Sequence, residues 1–126
     1  MSTEINVYMV LVILFIHWVA DFVFQTDKMA KEKAKSLYWL LNHTAIYSLT
    51  FTLAGVIFIN IHLFINVIMF GTITFFVHSI QDFFTSKLNA HLWNHKKVWQ
   101  FFVSIGFDQF LHFAQLLITY QILFNK

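Results

Sequence analysis

Apolar residues dominate four stretches of the chain, about Ile5 to Phe24, Leu37 to Ile59, Leu63 to Phe84 and Val98 to Phe124. Each is long enough to cross a bilayer core as a helix, which takes about 20 residues at about 1.5 Å each. The last is long for that purpose and is expected to tilt or to begin as an interfacial turn. Polar and small residues within these stretches follow a pattern. The first carries His17, Asp21, Gln25 and Lys28, and the second Ser36, His43, Tyr47, Thr50 and Ala54. The third carries Gly71, Thr74, His78, Asp82 and Ser86, and the fourth Ser104, Asp108, His112, Gln115 and Thr119. Steps of three, four or seven put each set on one helical face, leaving Phe, Ile, Leu and Val for the others. The pattern predicts an all-α integral membrane protein, with four transmembrane helices in a bundle lined by inward polar groups. Between the third and fourth helices, Leu88, Leu92 and Trp99 share a face that Lys87, Lys96 and Lys97 avoid. With Trp93 and Trp99 suited to the headgroup zone, Ser86 to Trp99 is expected to form a short amphipathic interfacial helix.

Composition sharpens this picture. Of 126 residues, 59% are hydrophobic and 11% charged, where a soluble domain carries about a quarter charged. Residues 1–126 are therefore read as a single transmembrane helical domain. The first apolar stretch lacks a basic leader, contains His17 and Asp21, and runs into Lys-rich sequence, so it is expected to be a retained helix. The absence of Cys excludes disulfides, thiolate ligands and c-type haem attachment. Lys28, Lys31, Lys33 and Lys35 lie in a short basic loop between the first two helices, and Lys87, Lys96 and Lys97 between the last two. The connection near Asn60 is uncharged. The positive-inside rule then places both lysine loops in the cytoplasm and both termini outside. These few lysines, with no Arg, suit anionic membrane lipid headgroups and not nucleic acid.

That topology brings the polar groups to one layer near the cytoplasmic leaflet. Three patterns stand out: His17-x3-Asp21, His78-x3-Asp82 and Asp108-x3-His112. Each sets an imidazole and a carboxylate one helical turn apart, and together they use three of the six acids. Ionisable groups are costly in lipid, so three pairs at one depth point to a shared site. His and Asp ligate zinc and similar divalent ions, and a carboxylate can instead orient a liganding His. The candidate metal ligands are His17, Asp21, His78, Asp82, Asp108 and His112, in one site or a close two-metal site. Asp21, Asp82 and Asp108 are the candidate catalytic carboxylates. A pair taken singly could equally be helix-to-helix glue. Gln25, Asp27, Lys28, His43, Tyr47 and Gln109 are accessory candidates; Gln25, Asp27 and Lys28 form either a solvated rim or a gate. His91 and His95 have ligand spacing but no nearby acid, and read as solvated.

The run His17-Trp-Val-Ala-Asp21-Phe-Val-Phe-Gln25-Thr-Asp27-Lys28-Met29-Ala30, then His78-Ser-Ile-Gln-Asp82 with Lys87, then Asp108-Gln109-Phe-Leu-His112 resembles a family of small bacterial and phage membrane proteins. That family is catalogued as domain of unknown function 3307. The resemblance covers nearly the whole chain. It implies a multi-pass protein of the bacterial inner membrane, with family motif positions at His17, Asp21, Gln25, Asp27, His43, His78, Asp82, Asp108 and His112. It implies no activity.

The residues themselves suggest a metal-dependent hydrolase of a lipid or other amphiphile entering from the inner leaflet, with an unliganded carboxylate as general base. The alternative is a small ion- or proton-coupled transporter or channel subunit, in which the same lining forms a path and a homo-oligomer supplies the size a carrier needs. Bis-His haem binding is a third option, though haem needs no carboxylate beside each His. A purely structural membrane protein is the fourth.

Overall fold

A computed structural model describes Glu4 and residues 6–125. All secondary structure among them is helical. α1 (Val7–Trp18) starts where the Asn6 side chain accepts a hydrogen bond from the Tyr8 amide, and it opens into a π-helical turn over Val19–Val23. α2 (Asp27–Glu32) is capped by Thr26, whose hydroxyl accepts from the Met29 amide at 3.2 Å. α3 (Leu37–Phe58) follows. A 3-10 turn at Ile61–Leu63 leads into α4 (Phe64–Asn94), and α5 (Val98–Phe124) completes the chain. α4 packs along both α3 and α5, while α1 rests on α3 and α5 with a smaller contact.

Three helical spans, Leu37–Phe58, Ile61–Asn94 and Val98–Phe124, are long and apolar enough to cross a membrane; Val7–Val23 is apolar but shorter. The expected start of the first helix at Ile5 lies outside the described residues. The basic segment after it is not a plain loop, since it contains α2.

The expected separate interfacial helix does not exist. Ser86 to Asn94 continues α4 without a break, as nothing between Phe84 and Leu88 interrupts a helix and Thr85 folds its hydroxyl back onto the Gln81 carbonyl at 3.0 Å. α4 thus runs 31 residues, about 46 Å at helical rise, well beyond a bilayer core of about 30 Å. Its end is marked by Lys96, at φ 57°. The Lys96 amide donates to the Trp93 carbonyl at 3.0 Å and the Lys97 amide to the Leu92 carbonyl at 2.9 Å. This is a Schellman closure built on a lysine where glycine is preferred.

The interior combines the polar stripes with an apolar cluster that includes Ile13, Phe51, Phe70 and Leu116. Buried polar side chains include His17, Asp21, His43, Thr74, His78, Asp82, Ser86, Asp108, His112, Gln115 and Thr119, matching most of the predicted stripes. Large apolar side chains such as Phe15, Phe22, Phe76, Phe84, Phe107 and Phe110 point outward, the arrangement expected where lipid is the solvent. Gly71 lets α3 and α4 approach closely, because a Cβ there would overlap the Thr52 hydroxyl.

Candidate metal centre

The π turn carries Asp21, the first half of α3 carries His43 and Tyr47, the middle of α4 carries His78 and Asp82, and α5 brings Asp108 and His112. π turns recur where helices carry functional residues. His43 Nε2 lies 3.0 Å from Asp21 Oδ1, 3.2 Å from Asp82 Oδ2 and 3.2 Å from His78 Nε2. His78 Nε2 lies 3.6 Å from the same Asp82 oxygen and 3.8 Å from Asp21 Oδ1. Four ligands about 2.0–2.1 Å from a tetrahedral zinc stand about 3.3 Å from one another. The spacings bracket that value, so Asp21, His43, His78 and Asp82 could hold one ion.

A second group shares Asp82. Its other oxygen, Oδ1, lies 3.2 Å from His112 Nε2, which is 3.3 Å from Asp108 Oδ2. These three residues also bring ligand atoms together. Asp82 therefore offers one oxygen to each group, the disposition of a bridging carboxylate.

The surroundings of His112 call for a positive charge, on the ring or beside it. Gln81 donates its amide to the Leu111 carbonyl at 3.2 Å, so its oxygen, 2.7 Å from His112 Nδ1, must accept. Nδ1 then carries the proton. In the neutral ring Nε2 is a bare lone pair between two carboxylate oxygens, and it has no hydrogen-bond partner. Only an imidazolium proton or a metal ion relieves that contact. The His43 and His78 Nε2 atoms pose a similar problem, since two facing ring nitrogens can share at most one hydrogen bond. His78 is fixed by stacking between Tyr47, with ring centroids 3.8 Å apart, and His112, at 4.2 Å.

His17 plays a different part from the one its spacing suggested. The Gln109 amide nitrogen lies 3.3 Å from Asp21 Oδ2 and 3.4 Å from Asp108 Oδ2, so its oxygen accepts from His17 Nε2–H at 2.6 Å. His17 Nδ1 in turn accepts from the Tyr47 hydroxyl at 2.6 Å. Both ring nitrogens are thereby committed, and Nε2 stays 3.8 Å from Asp21 Oδ2. His17 orients Gln109, which ties Asp21 to Asp108. His43, without an acid one turn away in sequence, stands instead at the centre, where its partners come from other helices.

One lysine reaches the site. Lys33, just after α2, donates to Asp82 Oδ2 at 2.7 Å, and its side chain is only 17% exposed. Burial works against its charge, but the carboxylates of Asp82 and Asp21 outweigh that and raise its pKa above the ordinary lysine range. The other rim candidates stay away from the centre. Asp27 pairs with Lys31 at 2.7 Å and Lys28 lies over the Trp39 ring. Gln25 lines a cleft beside the site, with its side-chain oxygen buried and unpartnered. His91 and His95 are exposed, and His95 Nδ1 bonds the His91 carbonyl at 2.8 Å.

The arrangement gathers three buried carboxylates in a low-dielectric layer, with one lysine and three inward-facing imidazoles for compensation. Such a set suits a divalent cation, or a close pair of them, and the acid–base chemistry of a carboxylate beside it. No curated protein and no solved structure matches the chain. The family model described as "Protein of unknown function (DUF3307)" matches residues 9–126, and the chain belongs to that family.

Proposed function

We propose that the protein is a metal-dependent hydrolase embedded in the bacterial inner membrane, acting on a lipid or other amphiphile. In this reading four helices span, with α1 and its π turn as the first, the lysine-bearing ends of the bundle face the cytoplasm, and both termini lie outside. The observation that carries the reading is the sharing of Asp82 between two convergent ligand groups. Asp21, His43, His78 and Asp82 would hold one divalent ion, zinc or similar, and Asp82, Asp108 and His112 a second.

Such ions supply Lewis acidity, lowering the pKa of a water from about 15.7 towards about 7 and polarising the scissile group. The residues of the chain do the rest. Asp108 lines the cleft, and its Oδ1 is buried without a hydrogen-bond partner. With Oδ2 turned toward His112, Oδ1 is the oxygen left off the metal, placed to take a proton from the attacking water and return it to the leaving oxygen. The water oxygen bonds to the ester centre, the bond to the leaving oxygen breaks, and the products are an acid and an alcohol. Gln109 and His17 hold Asp21 and Asp108 in register for this.

An ion path is the weaker reading. Outward from His112, the polar lining continues through Gln115, Thr74 and Thr119. Farther along lies a groove lined by Ile13, Phe51, Phe70 and other largely apolar side chains, with Tyr120 the one that carries a polar group, which offers an ion few ligands. Elemental analysis of detergent-purified protein tests the proposal. One or two divalent ions per chain are expected, lost together with lipid-ester hydrolysis in His78→Ala. A protein that stays metal-free after zinc or manganese loading refutes it, and ion flux in liposomes abolished by Asp82→Asn would select transport.

A further inference from the structure

Beside the centre lies a cleft of about 720 Å³, walled by the π turn, the α2 region, the end of α4 and the start of α5. This volume suits a ligand headgroup with the first part of a chain. Its lining combines two chemistries. Lys31, Lys33 and Lys35 line it together with Glu32, and so do Phe22, Phe101, Phe102 and Ile105. Phe22 and Phe102 are also exposed on the outer surface, so the apolar wall continues into the zone of the surrounding lipid. Lys31 is engaged by Asp27, Lys35 makes no ion pair among the described residues, and Lys33 spans from the rim to Asp82. Deeper in, Ser86 is over nine-tenths buried, lines the cleft and has a hydroxyl with no hydrogen-bond partner. The side-chain oxygen of Asn89, also lining it, is buried and unpartnered too.

Unsatisfied buried polar groups in a cleft need a partner. Lys35, with no ion pair among the described residues, favours an anion at the rim, while aromatic rings running out to the lipid face favour a hydrocarbon chain. We propose that this cleft binds an amphiphile with a phosphate headgroup, which Lys33, Lys35 and Ser86 contact while its chain leaves between Phe22 and Phe102. The inference rests on the metal-dependent reading only for the fate of the headgroup, not for its recognition. Asp21 and Asp108 also line the cleft, so bound cations strengthen the attraction by cancelling their charge. Lys33 is then the residue that passes from Asp82 to the arriving phosphate.

Native mass spectrometry of the full chain from detergent micelles tests this, with metal content measured on the same samples. Dioleoyl phosphatidic acid is expected to bind one per chain, and dioleoylglycerol, which has the same tails without phosphate, at least tenfold more weakly. Lys33→Gln and, separately, the exposed Lys35→Gln should each weaken phosphatidic acid binding about tenfold, the worth of one charged hydrogen bond. Lys28→Gln, outside the cleft, should leave it unchanged. Equal binding of the two lipids, or equal loss in Lys28→Gln, overturns the proposal. Displacement of phosphatidic acid by millimolar inorganic phosphate would mean that free phosphate is the ligand, and overturns the amphiphile assignment. A metal-free protein that still prefers phosphatidic acid sinks the hydrolase and keeps this site; a metal-loaded one with no preference does the reverse.

Discussion

Gln81 and Gln109 are each held in one orientation by their amide donors, and through them two histidines receive opposite roles. Gln81 fixes a proton of His112 on Nδ1 and turns Nε2 toward Asp82 and Asp108. Gln109 takes the Nε2 proton of His17 and removes that ring from the ligand set. Partners that orient a liganding histidine are typically worth about 10–100-fold in metal affinity. Gln81→Leu should therefore weaken binding at the His112 group by roughly that factor, read by competition with a chromogenic chelator, while leaving the His43 group near its original affinity. The shared carboxylate makes a sharper prediction. With an ion in each proposed group, Asp108→Asn should cost one ion per chain and Asp82→Asn both, measured by elemental analysis; identical losses in the two variants would contradict a bridging role for Asp82.

At the scale of elements, the apolar and polar periodicities located the long helices and most of the residues each one buries. They also suggested a break after Phe84 that is absent. Leu88, Leu92 and Trp99 do carry an apolar pattern, but a change of amphipathicity does not end a helix; loss of its hydrogen bonds does, and those end only at Lys96. The lysine there pays a left-handed backbone cost of about 1–2 kcal/mol that glycine avoids. Lys96→Gly is expected to stabilise the protein by about 1 kcal/mol, seen as a raised midpoint in detergent denaturation. The π turn at Val19–Val23 had no signature in the pattern either. His17 and Asp21 read as a one-turn pair, and in the folded chain they are linked through Gln109 instead of to each other.

For the whole molecule, the close approach of α3 and α4 brings His43 to within 3.2 Å of His78, and Gly71 permits it. Gly71→Leu should destabilise the bundle by about 1–3 kcal/mol through overpacking and lower metal occupancy with it, whereas Gly106→Ala, where an added Cβ meets nothing within 4 Å, should be tolerated. Metal removal carries a global consequence as well. Ions that bind only the folded chain stabilise it by mass action, about 2.7 kcal/mol at a hundredfold excess over the dissociation constant. Chelator-treated protein should therefore melt several degrees lower, with recovery on adding zinc or manganese; an unchanged transition would argue against any tightly bound ion.

The chain alone determined that this protein is helical, that its apolar faces turn outward, and that its acids and imidazoles gather inside. Those features follow from local periodicity and from the cost of ionisable groups in oil, both of which can be read one helix at a time. Which ring nitrogen meets which carboxylate was decided only by the folded bundle. That outcome depends on the rotation and offset of one helix against another, so His43 moved to the centre, His17 moved behind Gln109, and Asp82 came to lie between two ligand groups. No spacing within a single helix encodes those relations, because each joins residues that only packing makes neighbours.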